Sequence, residues 1–436
     1  MYPFLFALYL NDLEDFLSEN CDVDLKTLND LFEDNLNMYL KLFLLLYADD
    51  TVLFAESTEK LQNMLKVFEN YCETWKLKVN VRKTKIVVFS KRKCKYDQFS
   101  FELFGEKIDV QDDYNYLGIL FNYNENFFKA RKKLVEQSQK ALYSLYSKIR
   151  NINIPVDLQL KLFDTLVLPI LTYSSEIWGF ENKSIIEKIH LQFCKKILGV
   201  RSSTPNFMVY GELGRFPIEI SIKVRMLCFW NKLLINENKL SSKIYRLIFN
   251  LQANGNRDFK WINYVKSIFD ETGFSHLWND QIPLNTDFLK LCVKQRLQDH
   301  FIQKWFSDMI NSSRGEFYSK FKTEFKLENY LLNLNCVNRI YITKLRTCNL
   351  KFPIETGRWI GVPKEERLCN LCNASLGNEF HYIFCCDKLN DVRVKYLHSY
   401  FVNNPNENKM YKMLSIGNTQ VLTQLSFLLK KIVTLL

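Results

Sequence analysis

Two short stretches concentrate the residue types that hold metal ions. LKLFLLLYADDTVLF, residues 40–54, sets adjacent carboxylates, Asp49 and Asp50, between two apolar runs. Hard divalent ions such as Mg²⁺ prefer carboxylate oxygens and keep several waters. A pair of such ions activates an attacking hydroxyl and stabilises the leaving oxygen of a phosphoryl transfer. Neighbouring residues on a strand point to opposite faces, so one Asp is the better ligand and a second carboxylate must come from elsewhere. Asp also favours hairpin turns for a purely local reason, because its side chain hydrogen-bonds its own backbone. The tetrapeptide alone therefore leaves both roles open.

RLCNLCNASLGNEFHYIFCCDKLNDVR, residues 367–393, is the second stretch. Cys369 and Cys372 form a CxxC turn, and His381 follows. Cys385 then gives H-x3-C and Cys386 gives H-x4-C. Two thiolates on one turn, an imidazole and a third thiolate make a tetrahedral Zn²⁺ site. Four protein ligands close the coordination sphere, so such a zinc is structural and not hydrolytic. The other eight cysteines, Cys21, Cys72, Cys94, Cys194, Cys228, Cys292, Cys336 and Cys348, are scattered. That pattern suits a reducing intracellular compartment, nucleus or cytoplasm, and not a disulfide framework.

These residues need a scaffold, and composition predicts a helix-rich one. The 436 residues carry 13 Gly and 9 Pro, about half of average usage. Periodicity predicts a helix from Met1 to about Ser18, through Phe4, Leu5, Leu8, Leu13, Phe16 and Leu17. A buried strand is expected over Leu40–Tyr47, a turn at Ala48-Asp49-Asp50 and a returning strand over Thr51–Ala55. Next come an amphipathic helix over Leu61–Trp75 and strands at Ile86–Ser90, Phe99–Leu103 and Tyr116–Phe121. Beyond residue 125 the pattern is almost wholly helical: 126–150, a helix opened by Pro155, 182–200, and several over 216–350. Pro353–Pro363 reads as a loop, and Val421–Leu436 as an amphipathic helix with Leu425, Leu428, Leu429 and Ile432 on one stripe. Trp230, Trp261, Trp278 and Trp305 occupy apolar helical positions and read as core. His190 reads as a packed or surface residue. The longest apolar run is too short to span a bilayer, and no leader peptide is expected. There is no Gly-rich phosphate loop, GxSxG elbow or HExxH site.

Lysine and arginine total 59 against 48 aspartate and glutamate, a net charge of +11. The excess concentrates on one predicted helix through Lys129, Arg131, Lys132, Lys133, Lys140, Lys148 and Arg150. Lys188, Lys195, Lys196 and Arg201 form a second group. Such runs are usually solvated faces, but phosphate contact is the functional alternative. Trp359, among Arg358, Lys364 and Arg367, is either a base-stacking platform or an apolar lid on the zinc fold.

Taken together, these motifs resemble the reverse transcriptase of non-LTR (LINE-type) retrotransposons. Tyr47-Ala48-Asp49-Asp50 is similar to that family's YADD box, and residues 3–17 to the helix before it. WKLKVNVRKTKIVVF (75–89), YLGIL (116–120), LTYSSEIWGF (171–180), STPNFMVYGELGRFP (203–217) and KFPIETGRWIGVP (351–363) follow in the family's order. The resemblance implies an α+β fold with a polymerase palm over 1–124 and thumb-like basic helices over 125–200. A helical extension over 201–350, a CCHC zinc knuckle over 351–400 and a C-terminal amphipathic helix over 401–436 would follow. It implies RNA-directed DNA polymerisation, Mg²⁺ on Asp49 and Asp50, and Lys83 or Lys85 near the triphosphate. It also implies structural Zn²⁺ on Cys369, Cys372, His381 and Cys386, the longer of the two spacings. Lys129, Arg131, Lys132, Lys133, Lys140 and Trp359 would bind nucleic acid, with an RNA template and a DNA target or primer as partners and no membrane. The family carries a further essential Asp, with the fingers, upstream of residue 3. The chain is therefore expected to be an N-terminally truncated part, inactive by itself; Asp12 and Asp15, on a helical face, do not replace that residue. A non-catalytic nucleic-acid-binding knuckle protein, from a decayed or recruited element, is the alternative.

Overall fold

The computed structural model describes residues 9–21, 44–93, 99–150, 152–255, 257–415 and 417–436. Residues 1–8 of the first expected helix, 40–43 of the apolar run and Cys94 lie outside the described residues. Two compact units divide the chain: Met1–Ala130 with Asn236–Asp258, and Arg131–Ile235 with Phe259–Leu436.

The first unit is mixed α and β. Helix α1, Leu13–Asn20, buries Leu13 and Leu17. Helix α2, Thr58–Thr74, begins at Ser57, whose hydroxyl accepts from the Lys60 amide at 3.2 Å. That cap satisfies one of the amides a helix start leaves unpaired. Met64, Leu65, Phe68, Tyr71 and Cys72 recur at three- and four-residue spacing and form its buried face. They pack with Leu10, Leu13, Leu17, Phe101, Leu103 and Ile108 into one core, each large side chain contributing about 1.5–3 kcal/mol. Asp12 accepts a 2.6 Å hydrogen bond from the Tyr71 hydroxyl, so it serves this helix pair.

The strands are short, and all but β3 pair as hairpins. Strands β1, Leu44–Tyr47, and β2, Asp50–Leu53, are antiparallel, with Tyr47 opposite Asp50. The turn is thus Ala48-Asp49 alone, and Asp50 belongs to the strand. The expected buried strand is half exposed: Leu44 and Leu53 pack on the core, whereas Leu46 and Tyr47 face solvent. Strand β3 covers only Lys85–Ile86 and pairs in parallel with β5, Glu106–Val110, which pairs antiparallel with β4, Phe101–Leu103. The stretch expected as one strand over Tyr116–Phe121 is instead a further hairpin of β6, Asp113–Tyr116, and β7, Ile119–Asn122. Its turn places Leu117 and Gly118 at φ 47° and 83°, and a glycine there removes the Cβ clash of the left-handed region.

The second unit is helical. Helix α3, Phe128–Ile149, leads through Pro155 into α4, Val156–Leu166. Helices α5 (Ser184–Leu198), α6 (Asn206–Leu213), α7 (Ile218–Ile235) and α8 (Thr286–Ile310) build the centre. Trp178, Trp230 and Trp305 are fully buried there, and the Trp305 indole donates to the Phe207 carbonyl at 2.8 Å. His190 is buried between Glu187 (2.7 Å) and Arg215 (3.2 Å), both ring nitrogens being used in packing. A buried charge cluster that sequence patterning does not reveal ties α6 to α9, Cys336–Arg346. Arg346 pairs with Glu212 at 2.9 Å and Glu328 at 3.1 Å, and donates to the Leu414 carbonyl at 2.7 Å. The expected loop over 353–363 begins instead as a helix, α10, Pro353–Trp359. Proline is well tolerated at a helix's first position, where its missing N–H has no partner to lose. Helix α11, Thr419–Leu435, buries Leu422, Leu425, Leu428, Leu429 and Ile432.

Candidate functional site

The acidic hairpin presents its carboxylates outward. Strand alternation puts Asp50 on the face opposite Leu44 and Leu53, the pair that meets the core. Asp49 sits at the tip, beside Ala48 at φ 52°, a left-handed conformation that costs a non-glycine residue about 1–2 kcal/mol. Both carboxylates are exposed. Asp50 also acts on the next hairpin: burial, followed by the Asp50 charge, raises the Tyr116 phenol above its usual range. The two hairpins thus bring Tyr47-Ala48-Asp49-Asp50 and the start of Tyr116–Leu120 together. Two carboxylates suit a hard cation, but among the described residues no third acidic or imidazole ligand joins them.

Lys83 and Lys85 divide by partner. Lys85 lies opposite Asp109 across the β3–β5 pair, and the two side chains meet at 2.6 Å. That contact, through a hydrogen bond and the lysine charge, lowers the Asp109 carboxyl below the ordinary range. Lys83 follows the turn that Asn80 closes, is exposed, and has no ion-pair partner among the described residues. Neither lysine lines the open depression of about 450 Å³ formed by Lys78, Val79, Asn80, Val81, Arg82 and Glu106.

The basic helix is less uniform than its sequence. Arg131 is not available to phosphate, because its side chain is buried in an ion pair with Glu181 and donates to the Asn182 carbonyl. Lys129 pairs with Asp113 at 2.6 Å, at the surface. Lys132 and Lys140 are exposed and Lys133 is half-buried. In the second group, Lys196 lies 3.4 Å from the Tyr146 ring centroid and Lys195 donates to the Ser202 carbonyl at 2.6 Å.

The cysteine and histidine residues converge. Ligand atoms of Cys369, Cys372, His381 and Cys386 lie within 4.8 Å of one another. The CxxC turn is closed by the Asn373 amide on the Cys369 carbonyl at 2.9 Å, with Asn373 at φ 56°. His381–Cys385 form a π-helical turn, sealed by the Cys386 amide on the His381 carbonyl at 2.8 Å. An α-turn would stack residue i+4, Cys385, over His381. The wider π-turn brings residue i+5, Cys386, to that face instead, and leaves Cys385 exposed. Arg393 locks the turn by donating to the Ile383 and Cys386 carbonyls, both at 2.9 Å.

Spacing and chemistry both fit zinc. The Cys369 and Cys386 sulfurs are 3.9 Å apart, where Zn–S bonds of about 2.3 Å at a tetrahedral angle require about 3.8 Å. Cys372 Sγ and His381 Nε2 are 3.3 Å apart. Burial opposes the Cys369 thiolate, yet the Tyr382 hydroxyl and the Cys372 and Leu371 amides hold its pKa below the usual thiol value. Burial, with Cys369 alongside, pushes Cys386 up to about 11. Burial and the Arg393 charge lower His381, favouring the neutral imidazole that ligates metal. A dication at the centre would remove the repulsion between these thiolates and release their protons.

Trp359, at the end of α10, is 48% exposed, and the Arg201 guanidinium lies 4.1 Å from its ring centroid. Sequence reading placed these two residues in separate groups, 158 positions apart in the chain. Only the tertiary fold joins Arg201, just beyond α5, to Trp359 at the end of α10.

Residues 2–121 match the family "Reverse transcriptase (RNA-dependent DNA polymerase)". A transposon-derived protein of Caenorhabditis elegans is 27% identical over 160 residues, covering 35% of this chain and 56% of that protein. The RNA-directed DNA polymerase from mobile element jockey of Drosophila melanogaster is 25% identical over 177 residues, 39% of this chain and 19% of that protein. The matched stretches thus span about half of the first relative and about a fifth of the second.

Proposed function

With residues 2–121 a reverse transcriptase segment related to those of LINE-type retrotransposons, we propose that the chain is part of an RNA-directed DNA polymerase that engages an RNA template and a DNA primer or target. The observation that carries this reading is the solvent-facing Asp49–Asp50 hairpin inside the matched segment, set beside Tyr116. Asp49 and Asp50 would hold Mg²⁺, which supplies charge neutralisation for an attacking hydroxyl and a departing pyrophosphate. Asp50, held by the strand, fixes one ligand; Asp49, at the turn, reaches from the tip. Lys83 is the better placed of the two lysines for a triphosphate, since Lys85 is engaged by Asp109. Lys132, Lys133 and Lys140 would track the backbone of a bound duplex along α3. Lys129 would join them by exchanging Asp113 for phosphate. Zn²⁺ on Cys369, Cys372, His381 and Cys386 would hold the knuckle in shape, with Arg393 fixing the turn that presents Cys386.

A second reading rests on a specific observation. Two carboxylates are one short of the usual two-metal set, and among the described residues no third joins them. The chain by itself is then a nucleic-acid-binding module of a reducing, intracellular setting, and not an autonomous polymerase. Primer extension on a primed RNA template with Mg²⁺ separates the two. Binding without extension is the expected result. Extension that vanishes in Asp49→Ala would overturn the inactivity. Failure to bind a primed template at low salt would overturn the nucleic-acid reading itself.

A further inference from the structure

One guanidinium, that of Arg201, lies against the exposed indole of Trp359, and two more sit beside it on a shared carboxylate. Arg314 and Arg358 share one carboxylate, Glu355, at 3.0 and 3.5 Å, and Glu355 is 2% exposed. Arg201 makes no ion pair among the described residues, although the Glu355 charge reaches it. Its Nε and its backbone amide donate to Asn349 Oδ1 at 3.3 and 3.2 Å, and its plane lies against Trp359. Asn349 is itself fixed, since its amide donates to the Thr347 carbonyl and hydroxyl at 2.8 and 2.9 Å. The two terminal nitrogens of Arg201 have no hydrogen-bond partner among the described residues. Burial and the charge of Arg314 disfavour the Arg201 cation, against the smaller favourable charge of Glu355, so an incoming anion relieves a cost already present. A guanidinium fork aimed by a neutral amide, with its terminal nitrogens unpartnered among the described residues, matches phosphate. An adjacent exposed indole matches a nucleobase.

We infer that Arg201 and Trp359 form a one-nucleotide clamp for single-stranded nucleic acid, with the Arg201 fork on the phosphate and the exposed indole stacking the base. Asn349 is the positioning residue that aims the fork. The inference rests on the proposed nucleic-acid reading and adds to it a second contact of different chemistry. Lysines along α3 meet phosphate alone, whereas this clamp distinguishes a strand with bases from one without.

The test uses the full chain and three labelled 12-nucleotide probes: oligo(dT), oligo(U) and an abasic strand of equal phosphate count. Wild type should prefer the two base-bearing strands. Trp359→Leu should weaken both by about tenfold and leave the abasic strand unchanged. Trp359→Phe, which keeps a ring, should retain most of the affinity. Arg201→Gln should weaken all three probes and reduce the slope of log K against log salt by about 0.7, the contribution of one single-strand phosphate. A preference for oligo(U) over oligo(dT) would assign the clamp to RNA, and equal affinity to either strand. Unchanged affinities in both Trp359→Leu and Arg201→Gln, with wild type binding normally, would overturn the clamp and leave the wider reading standing. Absence of wild-type binding to these probes and to a primed template would overturn both.

Discussion

Exchanging one of two adjacent cysteines should decide how the Cys/His cluster holds metal. Cys385 and Cys386 differ by one position, yet the π-turn directs only Cys386 toward His381 and Cys369. Apparent binding energies of structural zinc are about 10–16 kcal/mol in small zinc-finger peptides. Shared among four ligands, that is roughly 2.5–4 kcal/mol each, or about two to three orders of magnitude in affinity. Cys386→Ser should therefore lose its zinc to a chromophoric chelator that leaves the wild type loaded. Cys385→Ser should retain about one equivalent, because its thiol is exposed and outside the cluster. Metal content after competition, with thermal melts with and without chelator, reads both effects. Chelator should lower the wild-type melting temperature and leave that of Cys386→Ser unmoved. Zinc lost from Cys385→Ser and kept by Cys386→Ser would refute the π-turn reasoning, and a zinc-free wild type would refute the site.

Arg131→Ala should destabilise the chain by about 2–3 kcal/mol in urea unfolding, because Glu181 loses its partner in a mostly buried pair. Lys132→Ala and Lys140→Ala should change stability by less than about 0.5 kcal/mol. Each should instead lower the salt dependence of binding to an RNA–DNA duplex by about one phosphate. Glu212→Gln should cost about 2–3 kcal/mol by leaving the buried Arg346 with Glu328 as its one remaining carboxylate. Burial opposes the Glu212 charge, but Arg346 and Lys322 hold its carboxyl below the ordinary glutamate range. The unfolded chain then binds the proton more readily, so this stabilisation is present above about pH 4.3 and is lost as pH falls through the lower folded value. Wild-type unfolding free energy should fall across that acid window, and the fall should be smaller in Glu212→Gln.

The sequence by itself determined the features set by local spacing. Alternation and turn chemistry located the Asp49–Asp50 hairpin, and CxxC with a following His located the Cys/His cluster. Helical period placed the long basic helix, and Trp230 and Trp305 were read as core. These signals are local, because a turn type or an apolar stripe depends on residues within a few positions of one another. Tertiary structure decided what depends on distant partners. A charge run does not show which of its members meets a carboxylate 50 residues away, so Arg131 looked like its neighbours until Glu181 claimed it. The two candidate lysines differ only because β5 brings Asp109 to Lys85. Two cysteines in succession look alike until a π-turn, one residue wider than an α-turn, selects Cys386. Arg201, in the segment after α5, and Trp359, at the end of α10, meet only in the folded chain, a contact to which neither residue's own surroundings in the sequence give any clue.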